Sequence, residues 1–183
     1  RIAYQPESIA EPADLVAAIR ARRGGRLLNL DRMLLHSPPL AAGWNGYLKA
    51  VRTDLSLDAR LRELAILVVA SLNGAAYEFH HHAPEYLRAG GTAAQVDALA
   101  DPEQALRRAG LFDDVDLAVL RMSNEMTRGV AVADGTFDAV RVALGDRQTG
   151  ELVGVVAAYH MVSRFLVALD ITPGPESGGF SDG

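Results

Sequence analysis

The chain has 183 residues, 49% of them hydrophobic and 22% charged, with 18 Lys and Arg against 23 Asp and Glu and no cysteine. That length suits one packed domain, and the missing sulfur excludes disulfide frameworks, thiolate metal sites, iron–sulfur clusters and thiol nucleophiles. The net charge of −5 argues against nucleic-acid binding, and no apolar run approaches the ~18 residues that a membrane span needs. Arg1-Ile2-Ala3-Tyr4 lacks the apolar stretch of a signal peptide, so a cytoplasmic protein with neither a nucleic-acid nor a membrane partner is expected.

Ala, Leu and Arg dominate the long segments and strand signals are scarce, which predicts an all-α fold of about seven or eight helices. The first helix runs from Pro12 to Arg22 and stops at Gly24-Gly25. The second spans Leu27 to His36 and ends before Pro38-Pro39, because a residue preceding proline leaves the helical region. In the third, Leu40 to Arg52, residues Trp44, Tyr47, Leu48 and Val51 recur at the spacing of one buried stripe. Leu61 and the run Leu64 to Ala70 are apolar nearly all round, the mark of a central helix. Asn73-Gly74 supplies a break, and a helix from Ala75 to Ala89 closes on Gly90-Gly91.

Thr92 and Gln95 have the spacing of a capping box that opens a short helix, Ala93 to Ala100. A further helix is read over Asp114 to Arg128. Asp134 or Thr136 is expected to cap Phe137 to Leu144, and Asp146 to cap a final helix reaching Leu169. A single domain over residues 1–171 is expected, followed by a disordered Gly- and Pro-rich tail over 172–183.

Chemistry concentrates around the histidines. His80-His81-His82 fan over about 200° of a helix, so the three cannot converge on one ion. The pairs Glu78 with His82 and His81 with Glu85 are spaced i, i+4; a carboxylate beside an imidazole orients it and tunes it for proton transfer, while the alternative is a solvated surface contact. Glu63 lies in the most apolar stretch of the chain, where a carboxylate needs a partner or a raised pKa. Tyr77 offers a phenolic hydrogen bond or plain packing, and His160 a pocket or a carbonyl partner. His36 reads as a helix-end residue. Arg20, Arg22, Arg23 and Arg26 read as solvated surface or ion pairs, or as a run that binds an anionic substrate or a neighbouring subunit's acidic face.

The stretch Leu57 to Ala70, followed by Tyr77-Glu78-Phe79 and His82, resembles the carboxymuconolactone decarboxylase and alkylhydroperoxidase D-like family, and Gly25 to Leu30, Arg32 to Pro38 and Tyr159 to Leu166 extend the likeness. The resemblance implies the compact helical bundle of that family and a homo-oligomer, a dimer, trimer or hexamer, with its pocket near an interface. The family's peroxidases carry Glu-x11-Cys-x2-Cys-x3-His. In this chain the frame reads Glu63, Ala75, Glu78 and His82, with every spacing kept and both sulfurs gone, which excludes a thiol peroxidase.

What survives is the acid–base half. Ala75, Glu78 and His82 fall within about 60° of arc on an ideal helix, so the small residue opens a notch above the Glu-His pair. The expectation is a lyase, decarboxylase or isomerase that needs no cofactor and acts on a small, anionic, unsaturated carbonyl or lactone compound. Glu63, Glu78 and His82 would carry proton transfer, with His82 as proton donor and Tyr77 or His81 assisting. The alternatives are a catalytically inactive oligomeric scaffold or binding protein, and a divalent metal held by Glu63, Glu78 and His82.

Overall fold

The computed structural model describes residues 1–174, which form nine α-helices and no strand. They are α1 (Ala13–Arg22), α2 (Asn29–Leu34), α3 (Pro38–Lys49), α4 (Ala59–Leu72), α5 (Ala76–Arg88), α6 (Ala93–Leu99), α7 (Pro102–Ala105), α8 (Asp114–Gly129) and α9 (Asp134–Leu169), with a single π-helical turn at Ala50–Asp54 after α3. The all-α expectation holds. α7 is additional to the helices read from the sequence: Asp101 caps it, its carboxylate accepting from the Gln104 amide at 3.1 Å.

α4 is the centre of the bundle. Asp58 caps it, accepting from the amides of Arg60 (3.0 Å) and Leu61 (3.3 Å). Leu64, Ile66, Leu67, Val68 and Val69 are fully buried, because α5, α8 and α9 cover the helix on several sides. Burial of apolar surface at about 25 cal/mol per Å² makes this the main source of cohesion.

The turns on either side of α5 behave as the sequence indicated. Gly74 takes φ +64°, a conformation that disfavours residues with a Cβ, and the Ala75 amide then donates to the Ala70 carbonyl at 2.8 Å. At the other end the Gly91 amide donates to the Tyr86 carbonyl at 2.9 Å. Thr92 and Gln95 form the reciprocal capping box at 3.2 and 3.0 Å. Gln95 also accepts from the buried Tyr86 hydroxyl at 3.1 Å, which ties α5 to α6.

Three capping expectations are corrected. Neither Asp134 nor Thr136 caps α9, which begins after Ala133. Glu125 of α8 caps it instead, one oxygen accepting from the Ala133 amide at 2.9 Å and the other from the Thr136 hydroxyl at 2.7 Å. The two predicted terminal helices are continuous except at Gly145, whose φ of 76° and ψ of 169° break the helix; that glycine, rather than a cap at Asp146, marks the division.

His36 stands just past the end of α2, as the sequence indicated. Its Nε2 donates to the Ala3 carbonyl at 2.8 Å while Nδ1 accepts from Gln5 at 3.2 Å, so it tethers the N-terminal segment. Thr172, expected in a disordered tail, is held by Tyr4 and Asn29; residues 175–183 of that tail lie outside the described residues. α9 is long and apolar enough to cross a membrane by length and composition, which the sequence reading did not anticipate. Here it packs on α4 and α8, as a core helix does.

A Cβ added at Gly91 would lie 2.2 Å from Tyr86 Cε1, and that ring is fully buried. Gly91→Ala is therefore expected to destabilise the fold by about 1–3 kcal/mol, as overpacking does, measured by urea unfolding.

Candidate functional site

The hairpin of α4 and α5 brings Glu63 to His82. Glu63 points from α4 into the bundle and is 3% exposed, and His82, from the second turn of α5, is 4% exposed. Glu63 Oε2 lies 2.6 Å from His82 Nδ1, and Glu63 Oε1 accepts from Arg62 Nε at 3.1 Å. Both carboxylate oxygens are thus engaged.

The electrostatics of this pair follow from its surroundings. Burial alone would raise Glu63, but His82 and Arg62 outweigh it and hold the carboxyl below its ordinary range. Burial lowers His82, with Glu63 opposing it. At neutral pH the arrangement is a carboxylate bonded to a neutral imidazole whose Nδ1 carries the proton. Nε2 is then the basic nitrogen.

Glu78 behaves oppositely. The expected i, i+4 pair with His82 is not formed; Glu78 turns to α9, where Ser163 Oγ donates to its Oε2 at 2.6 Å. Oε1 is buried with no hydrogen-bond partner among the described residues. Burial pushes this carboxyl up to about 8, with the Ser163 bond and Arg52 only partly opposing it. Glu78 is therefore a neutral carboxylic acid at pH 7, one helical turn from the base. Two glutamates of the same frame hold different protonation states, because one is bonded to an arginine and an imidazole and the other only to a hydroxyl.

His81 faces away from this pair. Its Nδ1 donates to the Tyr77 carbonyl at 2.7 Å and its ring stacks on Tyr77 at 4.2 Å; the expected His81–Glu85 pair is replaced by a Glu85–Arg88 bond. Burial lowers His81 to about 4 and pushes the Tyr77 phenol well above its ordinary range, so both stay neutral. His160 is half-buried between Thr127 and Arg164, outside the site.

Three residues that the sequence reading did not single out complete the centre. Arg52, in the π-helical turn, donates through Nε to the buried Tyr159 hydroxyl at 3.0 Å. Tyr159 also meets the His82 ring edge-on at 5.0 Å. Ser163 follows four residues later on α9. In the arginine run the ion-pair reading holds for two members: Arg22 and Arg23 lie 3.7 and 3.4 Å from Asp31, which is 1% exposed, while Arg26 is exposed. Burial, with repulsion from Arg52 and Arg22, lowers Arg23 to about 10 in spite of Asp31.

The notch expected at Ala75 is a boundary between two cavities. One of about 380 Å³ is lined by Ala75, Phe79, His80 and Ala100; another of about 160 Å³ is lined by Ala75, Tyr77, Leu166 and Asp170. Neither is lined by Glu63, Glu78 or His82. Among the described residues no three His, Asp or Glu side chains group as metal ligands. The expected metal set of Glu63, Glu78 and His82 is not assembled, since Glu63 and His82 bond each other and Glu78 turns to Ser163.

Residues 38–110 match the carboxymuconolactone decarboxylase family. Three solved structures share the fold. An uncharacterized peroxidase-related protein from Silicibacter sp. TM1040 superposes with a TM-score of 0.78 at 17% identity, over 94% of this chain and 90% of that one. The debrominase Bmp8, as a variant in complex with 2,3,4-tribromopyrrole, gives 0.77 at 16% identity over 94% and 90%. An uncharacterized peroxidase-related protein from Ralstonia eutropha JMP134, described as an alkylhydroperoxidase AhpD core, gives 0.78 at 18% over 93% and 90%. No curated protein matches the chain in sequence.

The raised Glu78 carboxyl has a consequence for stability. A group whose folded pKa lies above its unfolded value contributes stability that is present below the unfolded pKa and lost as pH rises through the folded one, here between about 4.5 and about 8. Glu78→Gln is expected to remove that loss, raising Tm at pH 8 by about 4–8 °C more than at pH 5, the shift that ~2 kcal/mol produces in a domain of this size. Scanning calorimetry at the two pH values measures it.

Proposed function

We propose that this chain, whose residues 38–110 match the carboxymuconolactone decarboxylase family, is an acid–base enzyme of the lyase, decarboxylase or isomerase type that needs no cofactor. Its substrate is a small, anionic, unsaturated carbonyl or lactone compound. The observation that carries this reading is the 2.6 Å bond between Glu63 and His82, which fixes the imidazole with its basic nitrogen opposite the carboxylate. Thiol peroxidase chemistry has no place here, because Ala75 and Glu78 occupy the two sulfur positions.

The roles divide by protonation state. His82 Nε2 takes a proton from the carbon next to the substrate carbonyl, and the electron pair moves onto the carbonyl oxygen. Glu63 stabilises the imidazolium that results. Glu78, as a neutral acid, donates a hydrogen bond to the developing enolate oxygen. Return of the proton to a different carbon gives isomerisation. In a decarboxylation the pair comes from the bond to departing CO2, and the carbanion takes its proton from Glu78. The donor expected at His82 is thus assigned to Glu78. Tyr77 and His81 support the wall beside this centre, and the chain acts as a homo-oligomer.

A non-catalytic binding scaffold is the second reading. The cavities beside Ala75, which Glu63, Glu78 and His82 do not line, favour it. Proton exchange decides between the two. In D2O, a panel of unsaturated keto acids and acidic lactones followed by NMR is expected to show enzyme-dependent deuterium uptake or CO2 loss. His82→Gln and Glu63→Gln should each lower it by about 10²-fold or more, the usual worth of a general base. Rates equal in wild type and His82→Gln would leave the scaffold.

The pH profile follows from the same groups. kcat/KM is expected to rise with a pKa below 6.5 as His82 loses its proton, and to fall near pH 8 as Glu78 ionises. Steady-state rates from pH 4 to 10 should show this bell, and Glu78→Gln should lose its alkaline limb.

A further inference from the structure

A hydroxyl in the middle of a helix has a partner at hand, the carbonyl one turn back. Thr127 of α8 takes it, donating to the Ser123 carbonyl at 2.6 Å, and Thr149 of α9 donates to the Gly145 carbonyl at 2.8 Å. Ser163 is fully buried on α9 and does otherwise. Its hydroxyl crosses to α5 and donates to Glu78 Oε2 at 2.6 Å. Because Oε2 receives that hydrogen, the proton of the neutral Glu78 acid belongs on Oε1, the oxygen without a hydrogen-bond partner among the described residues.

The base is held on the same side of α9 by different contacts. Tyr159, four residues before Ser163, meets the His82 ring edge-on at 5.0 Å, and Glu63 of α4 fixes His82 Nδ1 at 2.6 Å. On α5 itself Glu78 and His82 stand four residues apart, the spacing at which side chains of one helix meet. The groups that act on the Glu78 carboxyl from other elements are Arg52 of the π-helical turn, Glu63 of α4, and Tyr159 and Ser163 of α9. A Glu78 released from Ser163 would turn to His82. The acid proton would then pass from Glu78 to the imidazole and leave a carboxylate beside an imidazolium, so that neither the acid nor the base of the proposed reaction remained.

We infer that Ser163 is a positioning residue: its hydroxyl ties Glu78 to α9, directs the acid proton to Oε1 and keeps the acid from neutralising the base one helical turn away. This inference rests on the acid–base reading of the site. A plain hydrogen bond and a positioning role predict opposite shifts. If Ser163 only lends a donor, its loss raises Glu78 further and leaves His82 where it is, since the carboxylate form loses a bond. If Ser163 holds the acid off the base, its loss lowers Glu78 and raises His82 together.

The test is an NMR titration of the full chain from about pH 4 to 10, with carbon-13 in the glutamate carboxyls and nitrogen-15 in the histidine rings; Glu78→Gln and His82→Gln assign the two resonances. In wild type Glu78 is expected to ionise at about 8. In Ser163→Ala its midpoint should fall by about 1–3 pH units, the effect of a neighbouring opposite charge, and the His82 midpoint should rise with it. Ser163→Thr, which keeps the hydroxyl, should titrate as wild type does. Glu78→Gln should leave the His82 midpoint unchanged, because Ser163 already keeps the two apart, and this arm decides the matter if Ser163→Ala fails to fold. A Glu78 midpoint that rises or stays in Ser163→Ala, an unmoved His82 in that variant, the same shifts in Ser163→Thr, or a displaced His82 in Glu78→Gln each overturns the proposal. No substrate enters this titration, so the acid–base reading fails by a different result, unchanged proton exchange in His82→Gln.

Discussion

The bond between Glu63 and His82 is the constraint on which the rest of the centre depends. A carboxylate on the most buried helix of the bundle is costly unless it is paired, and Glu63 meets that cost with an imidazole on one oxygen and a guanidinium on the other. The pairing in turn dictates the hairpin. α4 and α5 must turn tightly at Gly74 for residues nineteen positions apart to meet, and the apolar faces of α4 must be covered by α8 and α9 so that water does not compete for the bond. Packing and chemistry are therefore one problem here: the aliphatic run Ile66 to Ala70 excludes solvent from the carboxylate that precedes it.

Glu78 shows how little separates a base's partner from an acid. It sits in the first turn of α5, where the helix N-terminus favours negative charge, yet burial outweighs that preference because, among the described residues, its hydrogen bond comes from a neutral hydroxyl. Glu63 is almost equally buried but bonded to a guanidinium and an imidazole, and it stays ionised. Had Glu78 bonded His82, as the i, i+4 spacing indicated, the two carboxylates would have competed for one imidazole. Ser163 resolves that competition by drawing Glu78 to α9.

The local features were legible in the sequence. Asn73-Gly74, Gly90-Gly91 and the Thr92–Gln95 box act between near neighbours, and the Glu63 to His82 frame is carried by spacing within one helical hairpin. Arg52, Tyr159 and Ser163 were not, because their roles depend on contacts spanning 107 residues in one case and 85 in the other, and no periodicity encodes which residue of α9 faces which residue of α5. Nor was Glu125, which caps α9 from a different helix. The arginine run near Gly24-Gly25 was legible as a source of ion pairs, but its partner Asp31 was not, because burial of an aspartate has no local signal.

The absence of cysteine then acquires a physical meaning tied to two positions. A thiol at residue 78 would ionise beside His82 and use the imidazole as its partner. A carboxyl in the same place has no such use for it while Ser163 binds its oxygen, and it remains protonated. The imidazole bonds Glu63 instead. The chemistry of residue 78 thus decides how the imidazole four positions on is partnered: with a carboxyl held by Ser163 in that place, the described bond of His82 is to the carboxylate of the preceding helix.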